Sequence, residues 1–514
     1  MAEKPQITLL KSGNRLVVAP TPTQVREVLE TKLSFTAKHM LYGAERFEEG
    51  NKGKRLELID YQCYFLDHKN RIATSLGFYH RITKALKARG YPVRIKDLTP
   101  PAKPEIFVPR WNRVLGPDSG IKLRHGQKEF LEWFVAQVQA GLPGRADAPP
   151  GYGKSFLIGL AAMLFPKAKI HYTSKRASVM RDRIFPELCG MLPDVGLVGG
   201  GVRKAGCRVQ GYTFDSLHHS DGKCDILFTD ECHEAAADDA AEQLAKYDES
   251  LNYGFSATQD MRIDNKDLRV EAMFGPVGYK MTYQTAVKHG LVVPLEVRWR
   301  NVRMDMDPCE GIEDSVERKR WGIWRNRHRN QLIAKDARSH PDQQVLVTCE
   351  TIEHALALKR EMPEFTLVYA ARDISFEKRR YFRKLGLWPK KGLKQMTEER
   401  KQKLTRLFER GKLRKVIVTT VWNVGVSMNH LEVLVRADAG GSPIMDTQIP
   451  GRVSRTNKAI GKKQGVIYDY KDQFNSGFKR KSGSRRSSYV GNGWTQVDPG
   501  TKPGEKLQHR LWED

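Results

Sequence analysis

The sequence predicts an α/β chain of two tandem parallel-sheet domains with helices on both faces, a small N-terminal α/β domain ahead of them and a basic C-terminal tail behind. Three observations predict it. Apolar β-type runs alternate with helical periodicity twice along the chain. A turn of small residues, Pro149-Pro150-Gly151-Tyr152-Gly153-Lys154-Ser155, opens a helical stretch. The apolar run Asp225-Ile226-Leu227-Phe228-Thr229 ends directly in Asp230-Glu231, roughly 75 residues farther on, as β-α-β geometry allows.

At 514 residues the chain is too long for one core and divides, on size alone, into about three domains. In residues 1–115, β-type runs at 7–10, 15–18 and 56–61 alternate with helical patterns at 23–33 and 78–88. Pro100, Pro101, Pro104 and Pro109 crowd the end of this stretch, as in a linker. In 116–296, strands at 168–173, 225–229 and 251–256 alternate with helices at 127–140 and 155–164. Gly144-Arg145-Ala146-Asp147, just ahead of the glycine turn, makes a poor buried strand because it carries two charges. In 297–475 a bridge rich in Arg and Trp, 317–330, leads into strands at 344–348, 366–369, 415–419, 433–437 and 465–470, with a basic insertion near 374–396. From 476 to 514, Lys479-Arg480-Lys481 and Arg485-Arg486 sit among Ser and Gly, which predicts a flexible tail.

The chain holds 87 Lys and Arg against 60 Asp and Glu, a net charge of +27, with 40% apolar residues. A folded binder of polyanions fits that balance, and nucleic acid is the foremost polyanion. The sequence has no apolar run near the ~20 residues that span a bilayer and no apolar N-terminal leader, so no membrane partner and a cytoplasmic location are expected. Seven cysteines without a Cys-x2-Cys pair predict reduced thiols and no Cys-held metal.

The glycine turn suits phosphate binding. Gly151 and Gly153 let backbone N–H groups face phosphate oxygens, Lys154 reaches the outer phosphates, and the Ser155 hydroxyl suits Mg²⁺. Two carboxylates at a strand end complete a phosphoryl-transfer set: Asp230 for the metal ion and Glu231 for the attacking water. ATP and Mg²⁺ are therefore the expected cofactors. His233 relays the presence of the outer phosphate to Ser256-Ala257-Thr258, or is simply structural. In Gln448-Ile449-Pro450-Gly451-Arg452-Val453-Ser454-Arg455, the two arginines lie three residues apart and share a face if helical. They supply transition-state charge when the two domains close, or form a solvated basic face.

These blocks, in this order over about residues 123–470, resemble a superfamily 2 helicase of the DExH type. The resemblance implies two RecA-like domains. Leu123-Arg124-His125-Gly126-Gln127 is similar to the adenine-reading element, with Gln127 on the base. Ser174, Lys175 and Arg176 match motif Ia, and Thr213 lies in a block similar to Ib, both on the tracked strand. Thr348 falls in motif IV. Thr419 and Gly425 fall in motif V, where Ser427 replaces a frequent Asp. Gly425 and Gln448 join the nucleotide set on this resemblance. Within the superfamily the chain resembles the UvsW-like phage recombination and branch-migration helicases. That implies an ATP-hydrolysing DNA motor acting on branched or looped DNA, in recombination, repair or fork processing, tracking 3′ to 5′ in an infected or bacterial cell.

Lys378-Arg379-Arg380, Arg383-Lys384 and Lys390-Lys391 surround Tyr381, Phe382 and Trp388, which suits a backbone-tracking groove with Arg380 and Arg383 as grips, or an ordinary helix with its aromatics in the core. The bridge 317–330 is a contact surface or a solvated hinge. RNA as the track, a restriction-system motor subunit without its own nuclease, and an ATP-switched annealing protein are the rival functions.

Overall fold

The computed structural model describes residues 4–41, 55–99, 105–149, 151–256, 267–370, 373–389, 392–422, 426–441, 446 and 448–500. Among residues singled out above, Pro100, Pro101, Pro104, Pro150, Ala257, Thr258, Lys390, Lys391, Gly425 and the last part of the expected tail, 501–514, lie outside the described set. The chain divides into two compact units between Thr282 and Tyr283.

The first unit contains two larger sheets. The N-terminal one runs Tyr64–Leu66, Ile72–Ser75, Arg15–Ala19, Ile7–Ser12, Val93–Asp97 in spatial order, under helices Thr23–Lys32 and Tyr79–Lys87. Alternation along its strands sends Ile7, Leu9, Leu16 and Val18 into one apolar core with Val25, Leu29, Ile82 and Leu86 of the helices. This sheet is clamped to the rest of the unit. Asn14 Nδ2 donates to the carbonyls of Tyr247 and Ser250 at 2.8 and 2.7 Å. Arg81 Nε donates to Glu271 Oε1 at 2.8 Å. Gly77 lies so close that a Cβ there would collide with the carbonyls of Glu271 and Ala272.

The second sheet of this unit has eight strands in the order Val202–Lys204, Val195–Gly199, Val209–Thr213, Ile170–Ser174, Ile226–Asp230, Leu251–Ser256, Gly144–Asp147, Val277–Lys280. All neighbours are parallel except the first pair. A parallel ladder puts every carboxyl end on one rim, which gathers Asp147, Ser174, Thr213, Asp230 and Ser256. Gly144–Asp147 corrects the expectation that its charges disfavour a strand. Arg145 is 4% exposed because its Nε donates to the Gly275 carbonyl at 2.6 Å, and Asp147 faces Lys280 Nζ at 3.9 Å.

The second unit is built on seven parallel strands in the order Thr366–Val368, Lys415–Val418, Val345–Thr348, Val433–Arg436, Gly465–Asp472, Leu295–Val302, Thr495–Val497. Both faces are covered, as such sheets require. Val345, Val347, Ile417, Val433 and Val435 point into one core, while Leu346, Val416, Val418, Leu434 and Ile467 point into the other. Strand Leu295–Val302 straddles the boundary expected at 296 but belongs wholly to this unit, since it pairs along its full length with Gly465–Asp472.

Two further expectations are corrected here. Residues 476–500 are not a loose tail. Asn475 caps helix Ser476–Gly491 through Gly477 N and Phe478 N, and Thr495–Val497 joins the sheet beside Leu295–Val302. Arg485 of that helix is fully buried against Asp469, with its Nη1 on the Gly440 carbonyl at 2.7 Å. Nor is the bridge 317–330 a solvated hinge. Arg329, in helix Arg327–Arg338, is fully buried and donates to Asp472 Oδ1 at 2.8 Å and the Ala437 carbonyl at 2.7 Å. With Arg436, which pairs with Asp446 and Asp438, these arginines form a ladder of buried ion pairs, on which Tyr489 OH bonds both Arg436 and Asp469. Charges this deep are tolerated because each guanidinium donor meets a carboxylate or carbonyl.

Candidate functional site

The strongest constellation lies at the carboxyl rim of the first unit's parallel sheet. Gly151 and Gly153 hold φ of 89° and 95°, left-handed backbone that a side chain would strain. Gly153 also lets Gln127 approach, since a Cβ there would stand 3.1 Å from Gln127 Nε2. Helix Lys154–Leu164 starts at once, so its positive end and the Lys154 ammonium share the loop. Lys154 Nζ lies 3.6 Å from Glu231 Oε1 and 3.8 Å from Asp230 Oδ1. Sequence reasoning expected this meeting, and strand pairing produces it.

Burial alone would depress the Lys154 ammonium, yet Glu231 and Asp230 outweigh it and hold the group above its usual range. Burial pushes the Asp230 carboxyl up, against the pull of Lys154. Asp230 Oδ1 and Glu231 Oε2 are buried without a hydrogen-bond partner. Such oxygens suit a hard cation or an ordered water. Ser155, 6% exposed, adds a hydroxyl at the helix start. These donors therefore fit Mg²⁺. Glu231 itself sits in the left-handed region at φ 51°. For a non-glycine residue this costs on the order of 1 kcal/mol and is characteristic of functional positions.

His233, 2% exposed, contacts Ser256 Oγ through Nδ1 at 2.9 Å and lies 3.5 Å from Glu231 Oε2. A polar path thus runs from the carboxylate to the end of the Ser256 strand. Gln127 is also buried: its Nε2 donates to the Tyr152 carbonyl at 3.0 Å, and its Oε1 accepts from Arg124 N at 2.9 Å. An open cleft of about 590 Å³ beside this element is lined by Leu115, Leu123, Arg124, His125, Gly126 and Glu129, among others. Two tyrosines that sequence reasoning missed complete the clasp. Tyr152 OH lies 2.7 Å from Tyr279 OH, which donates to the Gly126 carbonyl at 2.8 Å. Nothing local flags Tyr279, which lies on the strand beside Gly144–Asp147.

In the second unit, Arg452 lies in the short turn Pro450–Ser454 and its Nη1 donates to the Trp422 carbonyl at 2.8 Å. Arg455 follows in extended backbone, bridged to Val292, with Nη1 3.4 Å from Ser427 Oγ. The two arginines therefore do not share a helical face: Arg452 touches Trp422, and Arg455 touches Ser427. Gln448 is half-buried just ahead of them.

Of the residues expected to grip nucleic acid, Lys175, Arg380 and Arg383 are exposed. Arg176 is ion-paired with Glu234. Ser174, Thr213, Thr348 and Thr419 are 0 to 4% exposed at or just past strand ends, with Thr213 Oγ1 on Ser216 Oγ at 2.9 Å and Thr348 Oγ1 3.4 Å from Asp438 Oδ1. In helix Phe376–Lys384 the aromatics divide: Phe382 enters the core, whereas Phe376 and Tyr381 stay outside.

Residues 327–457 match the helicase conserved C-terminal domain. That segment carries Thr348, Thr419, Gln448, Arg452 and Arg455, downstream of the Lys154, Asp230 and Glu231 cluster. The second unit thus carries a helicase conserved C-terminal domain. Among curated proteins the chain is similar to one provisionally named helicase 22 of Sulfolobus islandicus filamentous virus (isolate Iceland/Hveragerdi), 21% identical over 379 residues. The match covers 68% of the chain and spans only 64% of that protein's length. Among solved structures it is similar to the UvsW helicase of bacteriophage T4, 16% identical with a TM-score of 0.39 over 96% of this chain and 99% of that one. It is also similar to Dbp5 of S. cerevisiae bound to RNA and ADP BeF3, 12% identical with a TM-score of 0.49 over 74% and 90% of the two chains. Among its described residues the chain has no helix long and apolar enough to cross a membrane.

Proposed function

We propose that the chain hydrolyses ATP to move along DNA and remodels branched or looped DNA, tracking 3′ to 5′. The observation that carries the ATPase reading is Lys154 held within 4 Å of both Asp230 and Glu231 at the mouth of a glycine loop. A cation aimed at outer phosphates and a carboxylate poised for water are the two groups phosphoryl transfer asks of a protein. In this reading Gly151 and Gly153 cradle the phosphates and Lys154 neutralises charge on the transferring group. Glu231 orients the attacking water. His233 passes the change to Ser256 and Thr258, and Arg452 and Arg455 supply further positive charge. Ser155 and Asp230 are the residues that would hold Mg²⁺, which when bound offsets phosphate charge. Gln127, Gly425 and Gln448 complete the nucleotide set. The net charge of +27 supports a polyanionic track, and the motif resemblance to UvsW-like helicases favours DNA.

Steady-state ATP hydrolysis tests this, measured alone and with single-stranded, duplex and forked DNA and single-stranded RNA at two salt concentrations. The expected result is strong stimulation by DNA, greatest with forks and falling steeply with salt. Stimulation by RNA alone would replace DNA as the track, and indifference to every nucleic acid would remove the motor.

Glu231→Gln keeps the size and hydrogen-bonding reach of the side chain while abolishing its basicity. ATP binding is expected to persist while turnover falls by on the order of 10²-fold or more, leaving a long-lived DNA complex. Wild-type turnover in this variant would reassign the water-orienting carboxylate.

A further inference from the structure

Two basic, aromatic stretches far apart in sequence meet on the surface of the second unit. The turn Arg320–Trp324 brings Trp321, and helix Phe376–Lys384 brings Tyr381. Arg325 stands between them: its guanidinium lies 5.2 Å from the Trp321 ring centroid, its Nη2 donates to Tyr381 OH at 3.0 Å, and its Nε donates to Glu353 Oε1 at 2.5 Å. Glu353 also accepts from Arg320 at 3.2 Å. Phe382, 4% exposed, anchors the helix in the core beneath.

The clip is held by hydrogen bonds and an ion pair, yet its rings are not buried. Trp321 is 45% exposed, Tyr381 44% and Phe376, on the same helix, 80%. A packing role would cover these rings, since large aromatics contribute mainly by leaving water. The exposed side chains around Tyr381 on its helix are Lys378, Arg380, Arg383 and Lys384 against the single acid Glu377. Fixed, half-open rings beside a surplus of cations match the chemistry of unpaired bases on a phosphate backbone. A duplex offers the same phosphates but keeps its base faces stacked inside. An acidic peptide would satisfy the cations and leave the rings without a partner.

We propose that Trp321 and Tyr381, held by Arg325, form a base-stacking contact for single-stranded nucleic acid. The proposal rests on the reading of the chain as a nucleic-acid motor and adds where, and to what strand form, the second unit binds.

The test uses the full chain, with binding of labelled oligothymidylate, oligouridylate and a blunt DNA duplex followed by fluorescence anisotropy. Trp321→Ala/Tyr381→Ala is expected to weaken oligothymidylate binding by about 10- to 100-fold, with an unchanged salt slope because no phosphate contact is lost. Duplex affinity, thermal stability and ATP hydrolysis without nucleic acid are expected to stay at wild-type values. Trp321→Phe/Tyr381→Phe keeps two stacking faces and is expected to retain most of the affinity. Arg380→Ala/Arg383→Ala, by contrast, should weaken single strands and duplex alike and flatten the salt slope. An equal loss on oligouridylate supports stacking irrespective of the sugar, and a loss confined to oligothymidylate supports it for DNA.

Unchanged oligothymidylate binding by the alanine pair, in a protein whose ATP hydrolysis DNA still stimulates, would overturn this contact and leave the motor standing. Equal losses on duplex and single strand, or a loss the phenylalanine pair fails to restore, would also overturn it. A wild-type protein that binds no single strand would overturn both readings.

Discussion

Lys154→Ala is expected to reduce nucleic-acid-stimulated ATP hydrolysis by on the order of 10³-fold or more, with the first unit still folded. The side chain is 15% exposed and carries the cation nearest two carboxylates that are themselves largely buried. Its removal withdraws charge neutralisation from the outer phosphates and leaves Asp230 and Glu231 without their nearest counter-charge. The Asp230 carboxyl, already pushed up by burial, should rise further and lose its value as a metal ligand. Hydrolysis and nucleotide binding should both fail, whereas Glu231→Gln loses turnover and keeps binding. Hydrolysis by Lys154→Ala within ~10-fold of wild type would displace the lysine from the reaction.

The second large effect concerns stability. Arg485→Ala is expected to destabilise the second unit by about 3 to 5 kcal/mol, because it strands the fully buried Asp469 carboxylate. Arg485 Nε lies 3.1 and 3.0 Å from the two Asp469 oxygens, and its Nη2 donates to the Tyr470 carbonyl at 2.9 Å. For a unit of this size the midpoint of thermal unfolding should fall by roughly 10 °C. The adjacent Arg486 provides the contrast. It pairs with Asp498 at 34% and 30% side-chain exposure, so Arg486→Ala should cost under about 1 kcal/mol. Replacing Arg485 and Asp469 together by leucines should cost less than Arg485→Ala alone, since no lone charge remains buried. Equal effects of the two single arginine changes, read by calorimetry, would refute the ladder's structural role.

What the sequence revealed tracks how local each signal is. Lys154, Asp230 and Glu231 were legible because a glycine turn before a helix and an apolar strand ending in acids each announce themselves within a few residues. Parallel pairing then leaves little choice about where those ends meet. Gly144–Asp147 was illegible as a strand because its charges find partners, the Gly275 carbonyl and Lys280, that only the folded sheet supplies. The Tyr152–Tyr279 contact joins residues with nothing but the fold in common. The tail misled for a composition-based reason: Ser, Gly and Arg signal disorder unless acids wait to pair with them. Asp469 and Arg436, charges set inside apolar strands, were the available hint. Arg452 and Arg455 part company because the short turn ends at Ser454 and Arg455 already stands in extended backbone, which the three-residue spacing alone does not reveal.

Among its grips on the rest of the first unit, the N-terminal domain holds residues 247–250 through Asn14 and residues 271–272 through Gly77 and Arg81. These flank strand Leu251–Ser256 on both sides in the chain. Mechanically, the accessory sheet is a handle bolted astride the strand that Ser256 ends. A load hung on that handle is delivered to the strand whose end His233 contacts, so pulling there should alter the pace of ATP turnover.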